Sequence, residues 1–432
     1  MTWSTERYSG WARSLWAEGE ISRPELRADV TTASAPAHGN RRSYGDAALN
    51  DGGRAFDLSR MDRILSFDPE KGLLEVEAGV RLGEILRLFA RRGWVPAVLP
   101  GTGFATVGGS IAMDVHGKNH HIAGSFGQHL TRIELLTGNK RRVITSQNTT
   151  LWQSTIGGLG QTGIILSATL QLKACRSSAL FVEERRAENW DEHISMLDAS
   201  TASYAVGWID ATATGASLGR GVVEEAEIGG ALPPPKEKTR AIPLDAPNFA
   251  LSAPIVKAFN ALYYHRIPAQ GRRVTRPMAD FFFPLDRIHD WNRLYGKRGF
   301  HQFQCVVPLA TKDRLKDMLL LIADSGLASP LSVLKRMGEG RAGYLSFPME
   351  GYTLAVDFPA RETTAPLISR LEDMTVDAGG RIYLAKDSLA TGERVKAMYP
   401  DWKKWRTAVN RADPDHLLET NMTRRLNLRN VE

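Results

Sequence analysis

Cysteine is nearly missing from this chain. Its 432 residues include two, Cys175 and Cys305, far apart and without metal or redox spacing. That excludes a disulfide framework and reads as two structural thiols in a reducing interior. No run approaches the roughly eighteen apolar residues of a membrane span. The opening MTWSTERYSGWARSLWAEGE has no basic region followed by an apolar core, so it does not read as a secretory signal. Also absent are G-x-G-x-x-G after an opening strand and G-x-x-x-x-G-K-[ST], which excludes a one-fingerprint dinucleotide site and a P-loop. Nucleic-acid motifs are lacking too. The 55 lysines and arginines against 48 acidic residues, a net charge of +7, therefore favour phosphate or acidic lipid as the anionic partner.

Glycine is what the chain has, in three places. Residues 100–127, PGTGFATVGGSIAMDVHGKNHHIAGSFG, hold seven of them. Such density suits backbone that turns sharply or lies against a ligand, offering N–H groups to anionic oxygens. The stretch reads as a loop–helix–loop wrapped around a large phosphorylated cofactor, partly buried through Val107, Ile111, Met113 and Val115. A second loop, SAPAHGNRRSYGDAALNDGG, centres on Arg41, Arg42, Ser43 and Tyr44, where backbone, hydroxyl and guanidinium can share a diphosphate. The third holds Gly157, Gly158, Gly160 and Gly163 between a helix and a strand. A dinucleotide site built from several loops fits this better than a single fingerprint.

In chain order, residues 1–33 read as a docking arm leading into a short helix. Residues 55–80 alternate apolar and polar around DPEKG and predict two short strands. Leu82, Ile85, Leu86, Leu88 and Phe89 sit at helical spacing closed by Gly93, and WVPAVLP reads as a buried strand. HLTRIELLTG, RRVITSQ, a helical SQNTTLWQSTIGG and TGIILSATLQLKAC complete a mixed unit by about residue 178. Beyond it, FVEERRA, SYAVGWIDA, FHQFQCVVPL and YTLAVDFP alternate with helices such as KDRLKDMLLLIADSG. This is the pattern of an antiparallel sheet with helices on one face. IGGALPPPKEKTRAIPLDAPN reads as an irregular, mobile loop. From Arg381 the chain returns to strand and helix, with Lys386 placed in the strand.

RRSYGD, LPGTGFATVGGSIAMDVHGKNHH, GSFG, GGLGQTGII, FFFPLD with WNRLYG, FHQFQCVVP, DFP and GGRIYLAKDS occur here in one order. In this the chain resembles the decaprenylphosphoryl-β-D-ribose 2′-oxidases, flavoenzymes of the vanillyl-alcohol-oxidase type, from about residue 40 to 428. The resemblance implies an α+β, two-domain fold of the PCMH type. Its FAD domain would comprise residues 1–178 and 381–432 around a substrate domain of residues 179–380. It implies non-covalent FAD, because Arg42 stands where related sugar-alcohol oxidases carry a tethering histidine. The cofactor would be held by Arg42, Ser43, Tyr44, Gly45, Gly101, Thr102, Thr106, Gly108, Gly109, Ser110, Met113, His116, Gly117, Asn119, Gly124, Ser125, Gly163, Ile164 and Lys386. Lys118, Gln302, Gln304, Lys335, Tyr383, Phe282, Thr353 and Ala355 would line the substrate side. The implied reaction oxidises the ribose 2′-hydroxyl of a polyprenyl-phosphate sugar to the ketone. A short-chain reductase partner then completes epimerisation to the arabinose form. The implied setting is cytoplasmic, with peripheral contact at the inner face of the membrane.

The residues themselves agree. Alcohol oxidation needs a proton taken from the hydroxyl and a cation near the reduced ring, and a desolvated lysine can serve either need. Lys386 is the first candidate and His116 the second; Lys335 or Lys118 suits a substrate phosphate. His116, His120 and His121 are also a possible zinc set, but Gly117 and Asn119 break the helix that would align them, and no metal is expected. The chain departs from mycobacterial members at Ala355, in place of a cysteine, and at Thr353, in place of an asparagine. Phe282 replaces a tyrosine and Arg41 a glycine. Two other functions fit the same loops: an oxygen-using alditol or aldonolactone oxidase, and a flavin- or sugar-phosphate-binding protein without turnover.

Overall fold

The computed structural model describes residues 2–230 and 239–430. Residues 231–238, the PPP-centred part of the expected mobile loop, lie outside the described residues. Three sheets follow one another along the chain. The first has the order β1-β2-β4-β3, from β1 (Ser4–Ser9), β2 (Trp16–Ser22), β3 (Ala37–His38) and β4 (Arg54–Asp57). The expected docking arm is thus a β-hairpin, β1 antiparallel to β2, and the segment after it makes only a three-residue turn of 3-10 helix, Arg27–Asp29. Its strands bury little besides Tyr8, Ala17 and Ile21, which is why apolar alternation is faint there. Gly19 is forced by the neighbouring strand, since a Cβ would sit 2.4 Å from the Gly53 carbonyl oxygen.

The second sheet is built from β5 (Ile64–Asp68), β6 (Leu73–Glu77), β7 (Trp94–Pro96), β8 (Leu130–Thr137), β9 (Lys140–Ile144) and β10 (Ile164–Ala174). β5 and β6 form the hairpin expected around DPEKG, while β4 joins the first sheet, so residues 55–80 hold parts of three strands where two were expected. The strand order β5-β6-β10-β8-β9, with β7 beside β10, puts the eleven-residue β10 at the centre. α1 (Leu82–Phe89) buries Leu82, Ile85, Leu86 and Phe89, and Gly93 ends the segment in a left-handed conformation at φ 84°. The glycine-rich stretch folds as α2 (Val107–Ala112) and α3 (His120–Ala123) between loops, and α4 (Thr149–Thr155) precedes β10.

The third sheet has eight antiparallel strands in the order β15-β11-β13-β12-β18-β19-β17-β20. In sequence its parts are β11 (Ala179–Ala187), α5 (Trp190–Ala199), β12 (Tyr204–Ile209), β13 (Gly221–Ile228), the short β14 (Arg240–Ala241), α6 (Ala253–His265) and β15 (Arg272–Pro277). Then come α7 (Met278–Phe282), β16 (Ile288–His289), β17 (Phe300–Val307), α8 (Arg314–Ser325), β18 (Ser332–Met337), β19 (Gly351–Pro359), α9 (Thr364–Asp377) and β20 (Arg381–Ile382). β14 pairs with β16 apart from the main sheet. One face carries Phe303, Cys305, Val307, Leu334, Leu354 and Val356 against the buried sides of α5, α8 and α9. This is the one-sided cover the sequence predicts, with one exception: α6 lies over the opposite face, packing Tyr264 against Val222 and Trp208.

The tail, α10 (Gly392–Met398), α11 (Trp402–Ala412) and α12 (Asn421–Arg425), adds Trp405, Val409, Met422 and Leu426 to the core of the large sheet and Leu418 to that of the first two. β20 pairs with β17, and Lys386 sits in the turn after it. The expected strand placement of Lys386 is therefore corrected: Tyr383 donates its N–H to Gln304 O as the pairing ends, and the chain then turns, with Lys386 N bonded back to Tyr383 O.

Candidate active site

The other face of the large sheet forms the floor of a cavity of about 1170 Å³ that β3, the glycine-rich loops and α6 close over. That exceeds the roughly 300–1,000 Å³ of a pocket for one drug-sized molecule. One end is walled by the loops around Gly39–Tyr44 and Leu99–Thr106 and by the start of α2. Gly101 has nothing within 4 Å of a Cβ position, so its bare backbone faces open cavity. Gly45 answers a different need: a Cβ there would lie 1.8 Å from the Asp387 carbonyl oxygen, because the first loop is pressed onto the Lys386 turn. Tyr44 N donates to Ala385 O across the same contact at 2.9 Å.

This end holds polar atoms with no partner inside the protein. His38 Nε2, Arg41 Nη1, Arg42 Nε and Ser110 Oγ are buried and unbonded, and all four residues line the cavity. Buried polar atoms in native proteins nearly always have partners, and guanidinium nitrogens only donate. The missing partner is therefore rich in acceptors and anionic, as the diphosphate of a dinucleotide is. Arg42 is held between two rings, its guanidinium carbon 3.9 Å from the Trp11 centroid and 4.6 Å from that of Phe104. Asp286 fixes the PGTG loop by accepting from Thr102 Oγ1 and Gly103 N, each at 2.7 Å.

A family model described as an FAD binding domain matches residues 33–146, a range that contains both loops. Over 98% of this chain and 98% of its own length, the decaprenylphosphoryl-beta-D-ribose oxidase of Mycolicibacterium smegmatis is 35% identical to it. The chain belongs to that oxidase family. It is an FAD-dependent oxidoreductase of the two-domain PCMH type. An uncharacterised Streptomyces coelicolor protein is 34% identical over 81% of this chain and all of its own. Bovine L-gulonolactone oxidase shares 31% identity over 31% of this chain and 30% of its own.

At its other end this oxidase gathers titratable side chains on the sheet floor. Gln302 and Gln304 on β17 share a face with Thr353, Ala355 and Asp357 on β19 and Lys335 on β18, because Gln304 pairs with Ala355, Gln302 with Asp357 and Lys335 with Thr353. Lys386 Nζ stands 3.2 Å from the centroid of the Tyr44 ring. Burial pushes its ammonium down from the usual lysine range, Asp357 opposes that shift and Lys335 adds to it. Burial pushes the Asp357 carboxyl up, against a hydrogen bond from Gln302 Nε2 and the charge of Lys386. His116 is held well below the ordinary histidine range, first by burial and then by Lys335, and is neutral. Its Nε2 lies 3.1 Å from Gln304 Nε2, its ring 5.1 Å from that of Tyr383, and its Nδ1 is buried without a partner. Lys118 and Lys335 are each pushed down to about 8 by burial; Lys118 donates to Phe281 O and sits 3.9 Å over that ring.

Of the residues singled out from sequence, Arg42, Ser43, Tyr44, Gly101, Thr102, Thr106, Gly109, Ser110, Met113, His116, Gly117 and Lys386 line the cavity, as do Lys118, Phe282, Gln302, Gln304, Lys335, Thr353, Ala355 and Tyr383. Gly45, Gly108, Asn119, Gly124, Ser125, Gly163 and Ile164 stand behind its wall. There Gly108 packs on Ala78, Asn119 Nδ2 bonds Ala97 O at 2.8 Å, Gly163 backs onto Leu136 O and Ile164 is core. These brace the loops and do not line the cavity. His120 uses both ring nitrogens on Gly338 N and Gly340 O, and among the described residues no group of three acidic, histidine or cysteine side chains can hold a metal. The sequence reading omits Asp357, Asp286, Tyr295 and His38. The first three lie inside quoted motifs, and Asp357 had a usable mark: it is two residues beyond Ala355 on an alternating strand.

Proposed function

We propose that this oxidase dehydrogenates the 2′-carbon of a ribose carried on a polyprenyl phosphate, the first half of an epimerisation to the arabinose form. The observation that carries the reading is the row of lysines, Lys118, Lys335 and Lys386, set in one cavity beside His116 and opening onto an apolar wall. FAD, when bound, supplies the hydride acceptor. The chain's own residues do the rest. Lys386, as the neutral amine that burial makes accessible, takes up the hydroxyl proton and becomes the ammonium as the C–H bond gives up its hydride; Asp357 sets how readily it does so. Gln302 and Gln304 orient the sugar, and Lys118 and Lys335 neutralise the phosphate. The flavin is held non-covalently by a unit of residues 1–178 and 381–432. The test is anaerobic titration of yellow protein with phosphoribosyl lipid: bleaching is expected. Bleaching by xylitol or a sugar lactone alone would hand the reading to an alditol or lactone oxidase.

The two phosphate lysines make substrate affinity depend on pH. Each loses its proton near pH 8, far below the usual 10.5, and only the ammonium form attracts phosphate. KM is therefore expected to rise as pH climbs through 8, with kcat at saturation changing less. Stability runs the other way. Between pH 8 and 10.5 the unfolded chain binds more protons at these positions than the folded one, so their contribution to unfolding free energy rises with pH. A KM flat from pH 7 to 9.5 would remove these lysines from the phosphate.

Completing the epimerisation needs a reductase for the ketone, which we take to be of the short-chain class, and a lipid-borne substrate brings the cavity mouth to a membrane, which we take to be its cytoplasmic face. Phe249, Ile255, Phe259 and Leu262 are exposed on and just before α6, Leu262 by 75%, while Ile255 and Phe259 also line the cavity. No helix among the described residues is long and apolar enough to cross a membrane. Paired Phe249→Asp and Leu262→Asp changes are expected to cut sedimentation with anionic vesicles several-fold and to leave flavin content unchanged. Equal sedimentation would place the contact elsewhere.

A further inference from the structure

Arg41 adopts φ 48°, a left-handed backbone that an arginine side chain disfavours. The loop around it has no room to relax. A Cβ at Gly39 would lie 2.2 Å from Thr106 Oγ1, Asn40 Nδ2 is bonded to Phe104 O at 2.9 Å, and Tyr44 N to Ala385 O at 2.9 Å. The turn is therefore imposed by its neighbours, and the arginine is carried at a position glycine would fill without strain. Its guanidinium carbon lies 5.3 Å from the Tyr8 ring centroid, a contact that occupies no N–H. Its charge helps hold Glu6 and Asp57 ionised, but both carboxylates take their hydrogen bonds from Arg23, at 2.6 Å and 3.1 Å. Arg41 Nη1 is left buried and unbonded at the cavity end where Arg42 Nε, His38 Nε2 and Ser110 Oγ also lack partners.

We propose that Arg41 is a second guanidinium ligand of the cofactor's diphosphate, retained in spite of its left-handed backbone because that contact completes an acceptor-hungry corner with Arg42, His38 and Ser110. The proposal rests on the FAD reading. Its prediction is that affinity and apo-protein stability move in opposite directions when the residue is replaced by glycine, which a merely structural arginine would not do.

The experiment titrates FAD into full-length protein stripped of flavin, at several salt concentrations, and melts the same stripped protein. Arg41→Gly should bind FAD roughly 10- to 100-fold more weakly, the loss expected for one charge-assisted contact, yet melt higher without flavin because the strain is gone. Arg41→Gln should lose similar affinity without the gain in melting temperature. Both variants should bind with a shallower dependence on salt. Unchanged affinity in either variant, or an unchanged salt slope, overturns the proposal and leaves the function untouched. Failure of the unsubstituted protein to take up FAD overturns both.

Discussion

Replacing Lys386 by methionine is expected to lower kcat by about 10²- to 10⁴-fold, the range associated with a positioned proton-transfer group. The replacement should leave folding and flavin content close to those of the parent protein. The size follows from where the side chain sits. Its Nζ lies 3.2 Å from the centroid of Tyr44, a residue of the cavity-lining loop, and burial draws its proton affinity toward neutrality. Ammonium and amine are then both accessible near pH 7, which suits a group proposed to accept the hydroxyl proton and to hold it as a cation. Methionine keeps the length and most of the volume, so no large cavity is left. Nor should the fold suffer from an unmatched charge. Asp357 is already pushed up by burial, and without the ammonium it takes a proton and stays neutral, held by Gln302 and by Tyr295 at 3.2 Å. Lys386→Arg separates the two duties, restoring the cation but not the proton acceptor; it should recover part of the cofactor's environment and little of kcat. Turnover within a few-fold of the parent for the methionine variant would take Lys386 out of the reaction.

Much of this site was legible in the sequence because it is made of local exceptions. Glycine clusters mark backbone laid against a ligand, and period-two alternation around Gln302–Gln304 and Thr353–Ala355 puts those side chains on one sheet face. What stayed hidden depends on contacts far apart in the chain. Gly45 and Gly101 look alike in sequence, yet one faces the cavity and the other exists because residue 387 presses on it. Gly108, Gly124 and Gly163 likewise stand behind the cavity wall, with no mark in the sequence to separate them from glycines that line it. The N-terminal hairpin escaped because its strands bury few side chains and so carry almost no apolar period. The strand expected at Lys386 is a turn because β20 ends after two residues, and the chain then folds back with Lys386 N bonded to Tyr383 O. α6 covers the ligand face of the large sheet, and its amphipathic pattern gives no hint of which face it covers.

The contact that holds the two halves of the site together comes from the last helix, and removing it should be the most destabilising single change outside the apolar core. Arg425 on α12 donates from Nε and Nη2 to both oxygens of Asp46 at 2.8 Å, from Nη2 to Asp387 at 2.9 Å and from Nη1 to Ala390 O at 2.6 Å. Asp46 follows the cofactor loop directly and Asp387 adjoins Lys386, and both carboxylates are buried, at 4% and 6% exposure. The guanidinium fork thus sets the distance between the 43–45 loop, which we propose meets the diphosphate, and the turn that carries Lys386. Arg425→Ala leaves two buried carboxylates without their cation, a loss of about 3–5 kcal/mol for broken buried pairs. Unfolding entropy scales with chain length, so this corresponds to a fall in melting temperature of about 3–5 °C for a chain of this size. Flavin release should speed up and kcat should fall with it, since the loop and the turn part together. Arg425→Lys returns one charge but cannot span both carboxylates and the carbonyl, and should recover less than half of the lost stability. If the alanine variant melts with the parent and keeps its flavin, the two loops are positioned by the 43–45 to 385–388 backbone contact alone, and the clamp is incidental.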